Sequence, residues 1–398
     1  SSILAGDLPK EKLGVRAIDD YTLEIELETP TGYFLDILTY PIFAPVRKDI
    51  IEEYGNTWVL NPESYICNGP YKMKERIIDD KIVMEINTNY YDYDKLVAKN
   101  ITIKMISDRN TALAGVRNGD IHFSNLVPPQ EVEELRKEKL IVMNQAYGTV
   151  FFEINLTNKA FTDSRVRKAL ALAIDRNYLV NTVNKSGEIP AGAFVPPLID
   201  DYEGKFRQNG GDYLSVDIND YQKNIEEAKR LMAEAGYPNG ENYPVIEVLV
   251  SSEGNVVMVE AIQQMWKNIG VDAIIMPREW AVILQSFRDL SYQMVLSGWT
   301  GDYNDPLTML QIMTSDSDFN YGGFSNERYD NLIEYARTSI DAEKRMEALR
   351  EAEAILFDEV PIIPFIYRTD FLVVSPKLKN YTDEPLGRYK FNYAYIEK

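Results

Sequence analysis

The sequence predicts an α/β protein whose chain forms two lobes. Between residues 150 and 290, apolar runs alternate with amphipathic stretches. The hydrophobic register changes at about Tyr147. A Pro-punctuated extended run at 360–364 then leads into a Tyr-rich, β-like tail. Alternation of this kind implies a mainly parallel sheet with helices on both faces. The other two features mark where the chain leaves one lobe and returns. The expected division is residues 150–370 in one lobe and 1–149 plus 371–398 in the other. Two strands cross the hinge between them.

In chain order, residues 1–16 are polar with little period. IDDYTLEIELETP (18–30) alternates at Leu23, Ile25 and Leu27, the mark of a half-buried strand. GYFLDILTYPIFAPVRKDI supplies a short helix and a Pro-punctuated segment. YKMKERIIDDKIVMEIN is a hairpin with Asp79-Asp80 at its turn, and NITIKMIS is another strand. Arg109 to Val116 is a helix closed by Asn118-Gly119. Residues 150–154 form an aromatic strand. FTDSRVRKALALAIDRNYLV (161–180) is an amphipathic helix capped by Asp163 or Ser164. Helices follow at 224–240 and 256–272, and strands at VIEVLVSS and VDAIIMPREW. A helix pair at 324–358 breaks near Asp341. Pro361 and Pro364 place part of the 360–375 run at an edge or crossover.

Composition excludes several functions. Lys plus Arg is 42 and Asp plus Glu is 62, a net charge of −20. That balance disfavours nucleic acid and anionic membrane surfaces as partners. Cys67 is the only cysteine and His122 the only histidine. An internal disulfide and a Cys- or His-rich metal site are therefore ruled out, and no cofactor is expected. His122 lies in RNGDIHFSN, without a nucleophile elbow anywhere, so a Ser-His-Asp hydrolase is disfavoured. No run approaches the roughly 18 apolar residues that a spanning helix needs.

The stretch that points to function is LSGWTGDYNDPLTML (296–310). SYQMVLSGW before it is a buried strand, and Leu307, Met309, Leu310 and Met313 after Pro306 have helical spacing. Asp302 therefore stands in the loop past a strand's carboxyl end, where open α/β sheets keep ligands. The run Asp-Tyr-Asn-Asp-Pro is equally good turn chemistry with no ligand, and spacing alone leaves both readings open.

GWTGDYNDP resembles the ligand-site stretch of the oligopeptide- and dipeptide-binding proteins of ABC importers. Asn68-Gly69-Pro70-Tyr71, Asn87 to Tyr90, RNGDI, FTDSRVRKALALAIDR and AEAGY are similar to further blocks of that family. The resemblance implies a two-lobed periplasmic-binding-protein fold of type II with mixed sheets. It implies a monomer that captures peptides, without catalysis, and delivers them to a membrane permease. It also implies a periplasmic location, or lipoprotein anchoring on the outer face of the cell membrane. Family members carry a long portion before the segment like LGVRAIDDYTLEIEL, holding the signal or anchor, so this chain is expected to be the C-terminal part of such a protein.

By the same resemblance, Asp302 receives the peptide's α-ammonium, with Trp299, Thr300, Gly301 and Tyr303 around it. Trp280, 19 residues before Trp299, matches a second pocket tryptophan. Phe151 stands where the family often has a pocket tyrosine, and Tyr147 is a neighbour able to substitute. Gly148 and Thr300 occupy positions that a disulfide joins in some members, and both cysteines are missing together. Arginines that meet the peptide's C-terminus in some members are replaced by Phe287 and Leu296, which leaves Arg288 as a carboxylate candidate. Two other readings compete: another solute on the same fold, such as an oligosaccharide or nickel chelate, and a hydrolase using two carboxylates. A neutral sugar has no use for a buried carboxylate. Asp302 and Asp305 share one loop and could not flank a scissile bond from opposite faces.

Overall fold

The computed structural model describes residues 6, 8–185, 187–252 and 255–397. Its main sheet has seven strands. Their order is Ala273–Arg278, Ile246–Ser251, Met294–Thr300, Ile141–Ile154, Ile362–Val374 and Phe123–Ser124, with Ile189–Pro190 also pairing Ile362–Val374. The first three run parallel. Every other pairing is antiparallel. The sheet is thus mixed rather than mainly parallel. The reason lies in Ile141–Ile154 and Ile362–Val374, the two longest strands. One leads into the segment between them and the other leads out, so they pair in opposite directions, from Ile362 opposite Glu153 to Val373 opposite Ile141.

Pro364 does not push its strand to an edge. Ile362–Val374 lies inside the sheet, and its register shifts between Pro364 and Ile366. A bulge at that point absorbs the missing N–H. Buried apolar residues divide along the same two strands. The largest cluster runs from Phe151 to Ile366. A separate cluster joins Leu113, Val116, Val127, Val132 and Leu135 to Val373. A third joins Leu372 and Val374 to Leu378 and Ala394 of the tail.

Local signals explain most elements. Asp108 caps Arg109–Asn118, and Gly119 closes it at φ 83°. Asp163 caps Ser164–Leu172. Asp341 caps Ala342–Glu359 after Glu327–Thr338. Asp79 takes the left-handed turn position between Tyr71–Ile77 and Lys81–Ile86.

Three elements depart from expectation. The half-buried strand at 18–30 shrinks to Leu23–Ile25 with Leu23 64% exposed, because it pairs only Val15–Ala17 and meets no core. The helix expected through residue 180 stops at Leu172. A short turn follows at Arg176–Tyr178, then a π-helix at Leu179–Asn184. Buried Arg176 donates to the carbonyls of Ala171 and Ile174, so its guanidinium satisfies the broken end. Finally, the strand expected through Trp280 ends at Arg278, and Trp280 begins the helix Trp280–Asp289, which buries Ile283 and Phe287 four residues apart.

Glu153 is the unusual core residue. Its side chain is buried on Ile141–Ile154, and Oε1 has no partner among the described residues. Burial pushes its carboxyl up to about 8, against a partial opposing effect from the Gly322 N–H. From about pH 4.5 to 8 the folded state therefore holds a proton that the unfolded chain releases. The group's contribution to stability is complete below pH 4.5 and is lost as pH rises through 8. Glu153→Gln is expected to gain about 2–4 kcal/mol on wild type between pH 5 and 8.5. Denaturant titrations at both pH values check this, and a pH-independent difference would refute it.

Candidate functional site

The loop after Met294–Thr300 is fixed residue by residue. The Gly301 N–H donates to the Tyr147 carbonyl at 2.7 Å. A Cβ on Gly301 would stand 2.5 Å from Thr308 Cγ2. Glycine thus lets Thr308 approach, and its hydroxyl accepts the Asp302 N–H at 2.8 Å. Tyr303 is buried and stacks on Tyr33 at 4.4 Å. Asn304 donates to Asp200 Oδ2 at 2.6 Å and accepts the Asp200 N–H at 2.9 Å. Asp305 is buried against Arg345, whose Nη1 and Nη2 donate to its two oxygens at 2.7 and 2.8 Å. Asp305 Oδ1 also accepts the Leu307 N–H at 2.9 Å. Turn chemistry therefore operates at Asp305. Asp302 is left over, with an exposed side chain.

That carboxylate opens on a cavity of about 360 Å³ lined by Tyr40, Pro41, Thr300, Gly301, Asp302, Leu386 and Arg388. Three segments far apart in sequence meet there. The Tyr40 hydroxyl donates to Asp302 Oδ1 at 3.1 Å, and the Asp302 charge raises the phenol's pKa. Leu386 and Arg388 arrive on the hairpin of Thr382–Glu384 and Arg388–Lys390. The Tyr147 N–H donates to Pro385 O at 3.2 Å, and Asn144 hydrogen-bonds Asp383, so the hairpin is seated on strand Ile141–Ile154.

Of the residues singled out from sequence, Thr300, Gly301 and Asp302 line this cavity. Gly148 lies directly opposite Thr300 across the sheet. Tyr147 is half-buried and contributes its backbone to the loop and the hairpin. Trp299 lies behind the wall, donating to Thr308 O at 2.9 Å and packing on Phe319. The remaining four are elsewhere. Phe151 is core, edge-on to Phe194. Tyr303 turns inward, because Tyr33 and Gln311 hold it. Trp280 is 47% exposed at a helix start, packed on Phe287, since its strand ends two residues earlier. Arg288 is exposed in the last turn of that helix and does not line the cavity. Sequence reading missed Tyr40 and Arg388. The available signal was their position in two otherwise unexplained stretches, the TYP turn and the Tyr-rich tail.

A mixed α/β sheet with two long antiparallel strands between separate cores, and a carboxylate in a cavity beside them, is the architecture of a two-lobed binding protein. The chain belongs to the bacterial extracellular solute-binding proteins, family 5, whose middle region it matches over residues 2–321. It is similar to the periplasmic oligopeptide-binding protein OppA of Salmonella typhimurium, 32% identical over all of this chain and 72% of that protein. It is also 32% identical to the dipeptide-binding protein DppE of Bacillus subtilis, over 98% of this chain and 71% of that one. The structure of Haemophilus influenzae OppA in complex with RPPGFSPFR superposes with a TM-score of 0.79 at 28% identity, covering all of this chain and 77% of that one. No helix among the described residues is long and apolar enough to cross a membrane.

Sequence spacing casts Asp305 as a cap worth about 1 kcal/mol. The buried two-point pair makes it much more. Asp305→Ala leaves Arg345 buried without its partner, which is expected to cost about 3–5 kcal/mol. Adding Arg345→Met should recover part of that loss. Denaturant midpoints of the single and double variants measure it, and a loss near 1 kcal/mol for Asp305→Ala would show that the pair contributes little.

Proposed function

We propose that this protein captures peptides by their free N-terminus and passes them to an ABC-type permease, with Asp302 as the amine receptor. The observation that carries the reading is the loop's division of labour. Each other polar side chain from 303 to 305 is spent on the protein, and Asp302 alone is offered to the cavity. A peptide α-amine has a pKa near 8 and is mostly charged at neutral pH. Burying it unpaired costs several kcal/mol, which a fixed carboxylate offsets by a charge-assisted hydrogen bond. Relatives named for oligopeptide and dipeptide binding, and one solved with a nonapeptide, support the same class of ligand. The hydrolase reading loses its second carboxylate, because Asp305 is locked to Arg345.

Capture between lobes follows from the same geometry. Residues 150–370 form one moving body, with 1–149 and 371–398 in the other. The division of the buried clusters supports that partition. A ligand touching both bodies stabilises the closed form by its differential contacts. Small-angle scattering on the full-length protein should show compaction on adding peptide, and unchanged dimensions at saturation count against closure.

Asp302→Ala is expected to cost about 3–5 kcal/mol of binding once the closed cleft excludes water, or roughly two to four decades in affinity. N-acetylating the peptide removes the same charge from the other side, so the two losses should not add. Calorimetry on the four combinations tests this. Equal affinity of wild type for acetylated and free peptides would eliminate Asp302 as amine receptor and favour a neutral solute.

A further inference from the structure

Resting on the closure reading, we propose that residues 31–44 form a strap that fastens the two bodies together, with Tyr33 as its latch in a socket on the second lobe. The strap's backbone hydrogen bonds close within the stretch, from the Phe34 N–H to Thr31 through the Ala44 N–H to Pro41. Among the described residues, no backbone–backbone bond ties it to the rest of the chain. Its short helix, Phe34–Ile37, buries none of its residues. On the side of the first body, Arg388 donates to the Thr39 carbonyl and Oγ1 at 3.0 and 2.9 Å and lies 4.8 Å over the Tyr40 ring. On the side of the second, Tyr33 stacks on Tyr303, with ring centres 4.4 Å apart and planes 7° from parallel. The Arg345 guanidinium lies 5.5 Å over the Tyr33 ring. Among the described residues, Tyr33 is the only hydrophobic side chain before Tyr147 that packs against the second lobe's core. Contacts of this kind part without unfolding any backbone, so the strap can leave the second lobe as a unit.

The socket is complete without the strap. Asp305 accepts from Nη1 and Nη2 of Arg345, and the Ala336 carbonyl accepts from its Nε at 2.7 Å. Gln311 donates to the Tyr303 hydroxyl at 3.2 Å. The Tyr33 ring therefore meets a flat partner and an oriented cation that need no rearrangement to receive it. Tyr33 stands apart from the cavity lining, whereas Tyr40 donates to Asp302, the group assigned to the ligand. The Tyr40 contact thus changes with whatever Asp302 binds, and the Tyr33 contact does not. The latch stabilises the closed form by the same amount for every ligand, and the ligand's own contacts supply the discrimination. Losing the latch lowers the population of the closed form, and apparent affinity falls by the same factor.

The test is stopped-flow binding and small-angle scattering on the full-length protein, with trialanine, pentaalanine and a mixed tryptic digest as probes. Tyr33→Ala should weaken both alanine peptides by one common factor, roughly five- to fiftyfold. The loss should lie in faster dissociation, with association unchanged, and compaction should need correspondingly more peptide. Tyr33→Phe keeps the ring and should behave as wild type. Tyr33→Leu keeps apolar bulk without a π face and should fall between, which covers an Ala variant that misfolds. Combined with Asp302→Ala, the Tyr33→Ala loss should add in free energy, because the two residues act on different steps. Wild-type dissociation rates in both Tyr33→Ala and Tyr33→Leu, with normal compaction, overturn the strap and leave closure standing. Unequal losses for the two alanine peptides also overturn it, as the sign that Tyr33 touches the ligand. Wild-type dimensions that stay unchanged with the mixed digest overturn closure itself, and the strap with it.

Discussion

The buried pair between Asp305 and Arg345 is the constraint on which the site depends. Two oriented hydrogen bonds between opposite charges fix the loop against helix Ala342–Glu359. A charge pair removed from water has little freedom to drift, since leaving either member unpaired is costly. The same guanidinium lies 5.5 Å over the ring of Tyr33, which stacks on Tyr303. Tyr33 belongs to the segment that carries Tyr40 to the cavity. One ion pair therefore sets the loop from one side and the opposing segment from the other, and Asp302 and Tyr40 meet as a result.

Arginine plays a parallel part deeper in the second lobe. Arg167 donates to the carbonyls of Phe161, Glu359 and Val360, and Arg176 to those of Ala191 and Pro364. Arg207 meets the fully buried Glu353, which also accepts the N–H groups of Phe194 and Val195. Each guanidinium supplies several donors where irregular backbone passes through the core. Burial lowers the pKa of Arg176 to about 10, still above neutral pH. Arg167 and Arg176 tie Ile362–Val374 and the backbone at 191 and 360 to helix Ser164–Leu172, and Glu353 ties the loop at 194 to helix Ala342–Glu359. That makes the second lobe a firm platform for the cavity wall.

The electrostatics of the molecule and of the cavity differ. The chain carries −20 overall, but charges more than about 8 Å apart in water are largely screened at physiological salt. The groups that interact strongly are therefore the local ones. Within one small cavity these are a carboxylate, a phenol that donates to it and a guanidinium over the phenol's ring.

By itself, the sequence determined the α/β class, the caps at Asp108, Asp163 and Asp341, and the placement of Asp302 past a strand's end. These depend on contacts within a few residues, which local side-chain chemistry dictates. That Gly148 and Thr300 lie close was implied only by the resemblance to the family, and the two residues do face each other across the sheet. Tertiary structure decided the rest. Asp302 and Asp305 look alike in sequence, and only the arrival of Arg345 from 40 residues away removes one of them from the solvent side. Tyr303 and Trp280 read as pocket aromatics but are turned aside by Tyr33 and by a helix start. Arg388 and Tyr40 lie 348 residues apart and share no motif with Asp302. They become one site because two antiparallel strands return the tail to the hinge, and such long-range pairing leaves no local trace for sequence periodicity to carry.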